Sequence, residues 1–360
     1  MRNLYIGLMS GTSLDGVDLV LCEITSEYCK LISSLEIPFD ATIKHDILTM
    51  IQGSTSLEKV GEMDHRLGLM FADAVNLLID TYELDREEIN AIGSHGQTMW
   101  HAPDGVYPFS MQLGDPNIMT AQTGIKVIAD FRRKDIALGA QGAPFAPAFH
   151  RVLFQNLNAG AAVVNIGGMA NMTLLDDPFL GYDTGPGNVL MDLWTVQHKA
   201  KAFDRDGLWA KSGSVSQELL NDLLSDPYFI KAAPKSTGRE LFNSSWLSER
   251  VKKHPNLKAE DIQATLLELT VKSIVNEIKK YALDLLLICG GGAKNSLLMQ
   301  RLQAELKIKV ATTDEYGVSS DSMEAMAFAW LAYKRVHREH VDLKTVTGAT
   351  KNAILGGIYE

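Results

Sequence analysis

The sequence predicts a two-lobed α/β protein on three observations. The chain has 360 residues, more than one hydrophobic core usually organises. A pattern of apolar strand, polar glycine-bearing turn and apolar strand occurs at Asn3–Ile24 and again at Ala161–Leu175. Amphipathic segments alternate with short apolar runs, most plainly where Asp261–Tyr281 feeds Leu283–Cys289, which is how helices laid on a buried sheet read.

The opening stretch NLYIGLMSGTSLDGVDLVLCEI reads as a hairpin, since Val, Ile and Leu flank a glycine-bearing turn. That turn, Ser10 to Gly16, is longer than a two-residue hairpin needs and gathers three hydroxyls, a carboxylate and two glycines. Its amides and hydroxyls can meet an anion, and turn chemistry alone accounts for the same residues. Cys29–Phe39 continues as a third strand broken off at Pro38. After a charged segment, Leu67, Met70, Phe71, Ala74, Leu77 and Leu78 recur at helical spacing within Glu58–Thr81. Asn90–Ser94 is a short strand that runs into His95, Gly96, Gln97 and Thr98, and polar strand ends are where open α/β sheets take ligands. A histidine satisfied by backbone at a strand end is the plainer account of His95. Asp104–Asp115 is a turn and a strand, Pro116–Gln122 a short helix with proline first, and Ile125–Ala129 another strand. Arg132, Arg133 and Lys134 follow in a row, ahead of a small-residue stretch from Gly139, and the division between lobes is expected near 125–140. This gives a first lobe over 1–128, joined by the C-terminal tail, and a second over 129–345.

The second lobe repeats the opening grammar, with Gly167, Gly168 and Asn171 in the turn. Asp183 precedes the bend Gly185-Pro186-Gly187-Asn188 that opens a helix over 189–199, where free N–H groups favour negative charge. A helix cap explains Asp183 or Thr184 but not the rigid bend. Residues 203–242 read as irregular with short helices. At the end of the apolar run 283–289 stand Gly290, Gly291 and Gly292, then Asn295 and a helix over 296–305; the glycines let a flat ligand press on backbone, and the helix start can face a phosphate. A helix carrying Met323, Met326, Ala327 and Trp330 on its packed face is expected to be capped by Ser320 or Asp321. Glu324 in its first turn is either a capping carboxylate or a site residue.

A net charge of −10 argues against a nucleic-acid or anionic-membrane partner and requires any phosphate ligand to be met locally. Cys22, Cys29 and Cys289 have no metal-ligand spacing and read as reduced thiols of a cytoplasmic protein. No signal peptide or spanning segment is expected. There is no G-x-x-x-x-G-K-[ST], Leu190 spoils a dinucleotide fingerprint, and no His or Cys cluster suggests zinc.

Together MSGTSLDGVD, SHGQT, ADFRRKDIALGAQGAPFAPAFH, NIGGMAN, GYDTGPGN, CGGGAKN and SDSMEAMAFAWLA resemble, in order and over nearly the whole length, the anhydro-N-acetylmuramic acid kinase family. That family belongs to the superfamily of sugar kinases, heat-shock chaperone ATPases and actin. The resemblance implies an actin-like fold in which each lobe holds a ribonuclease-H-like mixed sheet flanked by helices, with ATP in the cleft between them. It implies ATP-dependent, water-driven opening of 1,6-anhydro-N-acetylmuramic acid with phosphorylation at O6, in peptidoglycan recycling. Asp183 falls on the family's catalytic aspartate, with Glu324 in support. Gly11, Thr12, Ser13, Leu14, Asp15, Gly16, Val17 and Asp18 would hold the ATP phosphates opposite Gly167 and Gly168, and Gly291, Gly292 and Asn295 would pack on the adenosine. His95, Gln97 and Arg132 would contact the sugar. Mg²⁺ would bridge the phosphates mostly through water, its direct protein ligands unknown, and a homodimer is carried over from the family. Two other readings stand beside this one: a hexose or amino-sugar kinase of the same fold, and a nucleotide-driven binding module of the actin or chaperone kind.

Overall fold

The computed structural model describes all residues except 1, 2, 12, 13, 15, 158 and 234. The chain divides into two compact units, Met1–Leu153 with Ser322–Glu360, and Phe154–Asp321. In the first, β1 (Leu4–Ser10), β2 (Gly16–Ile24) and β3 (Cys29–Pro38) form an antiparallel meander, and β4 (Ile89–Ala102) lies parallel to β1 on its other side. β5 (Phe109–Leu113) folds back on β4, and β6 (Val127–Ala129) extends the sheet in parallel. The second unit repeats the plan: β7 (Ala161–Ile166), β8 (Met169–Leu174) and β9 (Leu180–Pro186) are antiparallel neighbours, and β10 (Leu285–Cys289) and β11 (Lys309–Thr312) are added parallel to β7. Finally β12 (Gly357–Tyr359) pairs with β6 in the first sheet. The orders β3-β2-β1-β4-β6 and β9-β8-β7-β10-β11 are the same ribonuclease-H-like arrangement, built twice from sequences with little identity.

Each sheet is buried between helices because its central strands are apolar on both faces. Ile6, Leu8 and Leu19 share one cluster with Leu67, Phe71 and Leu78 of the helix Leu57–Thr81. Val164, Met172 and Ile288 share another with Leu267, Val271 and Ile274 of the helix Ala259–Ile278. On the first sheet the helix Met323–Val336 sits against β1 and β4 through two glycines that are register partners, Gly7 and Gly93. A Cβ on Gly7 would stand 1.9 Å from the Ala325 carbonyl oxygen, and one on Gly93 2.0 Å from that of Phe328. Only bare backbone lets the helix come this close. No described helix is long and apolar enough to cross a membrane.

Several expectations differ from what is found. The chain passes from the first unit to the second at 153/154 rather than 128/129, and returns at 321/322. The helix Ala146–Leu153 is sequestered with Met323–Val336, Phe149 lying 5.7 Å from the Trp330 ring. The charged segment after β3 forms a helix, Ala41–Gln52, capped by Asp40. β4 does not end at Ser94 but runs on to Ala102, because β5 offers it an antiparallel partner beyond Gln97. The N-cap of Met323–Val336 is Ser322, while Asp321 pairs with Lys294 at 2.8 Å.

The glycine seat yields a stability test with opposite signs. Gly93→Ala should lower the urea midpoint, at a cost of about 2–3 kcal/mol for overpacking against fixed backbone. Gly61→Ala, at a helix position where an added Cβ meets nothing within 4 Å, should raise it by ~0.5–1 kcal/mol.

Candidate active site

The carboxyl ends of the parallel strands β7 and β10 lie side by side, Cys289 opposite Asn165, and glycine turns leave from both, the usual ligand end of such a sheet. Past Ile166, the Gly167–Gly168 turn is laced to the start of the helix Val189–Lys199. Gly187 N–H donates to Gly168 O at 2.9 Å, Asn188 N–H to Gly167 O at 2.8 Å and Val189 N–H to Gly168 O at 3.1 Å. These bonds take up the amides at 187–189 that the sequence left open to an anion. A Cβ on Gly187 would fall 2.4 Å from Gly167 O, so the bend requires glycine. Gly290 has φ +76° and would strike Asn165 Oδ1 at 2.2 Å with a side chain, and Gly292 is pressed on Ile166 in the same way. Gly291 stays exposed, its Cβ position 3.7 Å from Asn188 Nδ2. Turns 167–168, 187–188 and 290–292 are thus one patch of backbone. Asn295 stands behind it: its Oδ1 accepts from Leu298 N–H at 3.1 Å and caps the helix Ser296–Glu305.

Asp183 lies on β9, register partner of Asn171 on β8. Its Oδ2 accepts from Thr237 N–H at 2.9 Å, its backbone N–H donates to Lys235 O at 3.0 Å, and its carbonyl accepts from Tyr228 Oη at 2.7 Å. Burial pushes its pKa up to about 6; the Thr237 bond works against this and the Glu240 charge with it. Near neutrality it is an ionised carboxylate ready to accept a proton.

The segment that holds Asp183 is itself held by a buried ion pair. Lys235 Nζ meets Glu277 Oε1 at 2.7 Å, both side chains at most 3% exposed. Tyr182 Oη donates to Glu277 Oε2 at 3.0 Å and Lys280 reaches the same oxygen at 2.6 Å. Burial pushes the Glu277 pKa up, but Lys235 and Lys280 outweigh it and the net shift is downward. Residues 235–240 read from sequence only as an irregular stretch. The cation, hydroxyls, glycine and second cation of Lys235-Ser-Thr-Gly-Arg239-Glu240 were the available signal, but no periodicity tells which strand such a segment docks on.

In the first unit, Leu14 and Val17 are buried in the core, the Leu14 N–H donating to Gly11 O at 3.3 Å, and Gly11, Gly16 and Asp18 are partly exposed. Thr12, Ser13 and Asp15 lie outside the described residues. Arg132 donates from Nε and Nη2 to His95 Nε2 at 3.1 and 2.9 Å, and from Nη1 to Gly142 O at 2.9 Å. His95 accepts at Nε2 and carries its proton on Nδ1. Burial first, and the Arg132 charge second, hold its pKa at about 3 against the opposing pull of the Gly96 and Ser10 backbone. Burial lowers the Arg132 pKa to about 10 while Glu324 and Asp135 raise it, so Arg132 is cationic at neutral pH. Glu324 is exposed in the first turn of its helix, its charge reaching Arg132. Gln97 does not face a ligand: it is fully buried, its Oε1 accepts from Ser10 Oγ at 2.6 Å and its Nε2 donates to Thr98 O at 3.2 Å. It ties β4 to the end of β1. A cavity of about 330 Å³ beside β4 is lined by Ser94, His95, Asp64, Asp130 and Arg133 among others, and Ser94 Oγ is buried there without a hydrogen-bond partner.

Comparison with known proteins bears on this arrangement. A family model described as anhydro-N-acetylmuramic acid kinase matches residues 3–360. A protein of that name from Sulfurovum sp. (strain NBC37-1) is 57% identical over 357 residues, covering 99% of this chain and 98% of its own. One from Sulfurimonas denitrificans is 57% identical over 368 residues with both chains covered in full. One from Aliivibrio fischeri is 51% identical over 362 residues, 99% of this chain and 98% of its own.

Glu277→Gln should strand the Lys235 ammonium in the core and cost about 3–5 kcal/mol in urea unfolding. The apolar double variant Lys235→Met/Glu277→Leu should regain most of that. Equal losses in the two would show that packing, not the uncompensated charge, sets the effect.

Proposed function

We propose the reaction from one premise: the chain belongs to the anhydro-N-acetylmuramic acid kinase family, and it transfers the γ-phosphoryl group of ATP to O6 of 1,6-anhydro-N-acetylmuramic acid while water opens the anhydro bridge. The products are N-acetylmuramate 6-phosphate and ADP, as peptidoglycan recycling requires. The observation that carries the reading is Asp183, a half-buried carboxylate with its pKa raised to about 6 and fixed by the Thr237 N–H, on the strand that leads into the glycine-turn patch.

In this reaction Asp183 takes a proton from the water that attacks C1. The C1–O6 bond breaks with its electron pair on O6, and O6 attacks the γ-phosphorus as ADP departs. Both events depend on positioning more than on covalent catalysis. In the second unit the Gly167–Gly168 turn receives phosphate, and Gly291 and Gly292 receive the adenosine, their turn held by the Asn295 cap; in the first unit the phosphate loop is Gly11–Asp18. The Arg132–His95 pair meets the sugar's lactyl carboxylate, for which a guanidinium is suited, and Glu324 orients sugar or water. Among the described residues no three His, Cys, Asp or Glu side chains converge to hold a metal. Mg²⁺ would be carried mostly on the phosphates and water, and no step is assigned to it.

Asp183→Asn should lower kcat by ~10³-fold or more with ATP affinity nearly intact; equal loss of ATP binding would make Asp183 a nucleotide ligand instead. In the wild type, kcat/KM should fall as pH drops through about 6, because protonation of the raised Asp183 carboxyl removes the base. A flat profile from pH 5 to 8 would contradict it. Turnover in ¹⁸O-water should place label at C1 of the product. Unlabelled C1 would favour a plain sugar kinase in which Asp183 deprotonates a substrate hydroxyl.

A further inference from the structure

A triphosphate entering a chain of net charge −10 needs a cation where its charge grows during transfer. Most cations of the second unit are engaged elsewhere. Lys235 is buried on Glu277 and Lys294 pairs with Asp321. Lys199, Arg205 and Lys231 lie over the rings of Trp209, Phe203 and Tyr228. Arg239 is different. Among the described residues its Nη2 is the one atom, beyond the turn's own neighbours, within 4 Å of a Cβ position on Gly168, at 4.0 Å, and the residue is exposed.

The backbone under Arg239 is fixed although its side chain is open. Leu241 and Phe242 N–H donate to Gly238 O at 3.2 and 3.0 Å, and Asn243 Nδ2 donates to Arg239 O at 3.3 Å. Phe242, with no exposed surface, anchors the turn between Tyr228 and Trp246 at 5.6 and 5.0 Å. The same segment reaches Asp183 on β9 through the Thr237 N–H, so the stretch that carries the guanidinium also holds that carboxylate.

We propose that Arg239 donates hydrogen bonds to the γ-phosphoryl oxygens of ATP at the Gly167–Gly168 turn. The inference rests on the kinase reading above. As O6 bonds to the γ-phosphorus and the bond to the β-phosphate oxygen breaks with its electron pair on ADP, Arg239 meets the charge on the equatorial oxygens. It gives up no proton, since a guanidinium stays charged.

The test uses the full chain with ATP and the anhydro-sugar. Arg239→Ala should lower kcat by ~10²–10³-fold with KM for ATP changed less than tenfold. Arg239→Lys should recover a part, added methylguanidinium should rescue the Ala variant, and the acid limb near pH 6 should stay, since it belongs to Asp183. Wild-type kcat in Arg239→Ala, or a loss that neither lysine nor methylguanidinium relieves, overturns the proposal. If the wild type leaves the anhydro-sugar untouched but phosphorylates another amino sugar, the substrate reading fails alone. The Arg239 comparison is then decided on that acceptor.

Discussion

Lys235 and Glu277 meet at 2.7 Å with both side chains withdrawn from water, and much of the second unit's chemistry hangs on that contact. Neither charge could stay buried alone, because desolvation of an unpaired ion costs several kcal/mol. The pair therefore exists only when residues 235–240 lie against the helix Ala259–Ile278. Once they do, Lys235 O and Thr237 N–H stand where β9 needs them, and Asp183 acquires its fixed geometry. Tyr182, beside Asp183 in sequence, completes the Glu277 shell from the opposite face of β9. A charged contact with little net worth in energy thus sets the position of the Asp183 carboxylate.

The two sheets solve one architectural problem in different ways. In the first, β1 and β4 carry paired glycines, so a helix rests on bare backbone and the sheet end is left to a short loop and the Arg132–His95 pair. In the second, glycines sit past the strand ends instead, packing three turns into one patch at the carboxyl edge of β7 and β10. The first arrangement stiffens the middle of a sheet, the second its rim.

Much of this was legible in the residues. Both strand–turn–strand units, the helix on Leu67 and Phe71 and the apolar strand before Gly290 declare themselves through periodicity and glycine placement, which are local signals. What stayed hidden depends on distant partners. The sequence cannot say that Gln97 faces inward to Ser10, that Asn295 caps a helix, or that β4 continues because β5 comes to meet it. The lobe division was placed too early because the small residues near 139 look like a linker. They are in fact anchored: Asp135 accepts from Gly142 N–H and Thr347 Oγ1, and Gln141 N–H donates to Thr347 O. Residues 235–240, the richest in contacts to Asp183, carry no pattern at all.

The second unit interrupts the first, which closes only when Ser322–Glu360 returns. Between Gly93 and the helix that must lie on it, about 230 residues are added, on the order of ten to fifty seconds at ribosomal speed. Through that interval the nascent first sheet has strands but no cover over Gly7 and Gly93, while the second unit, contiguous in the chain, can complete itself. The part of the polypeptide made first can thus be completed only after the whole second unit has been made.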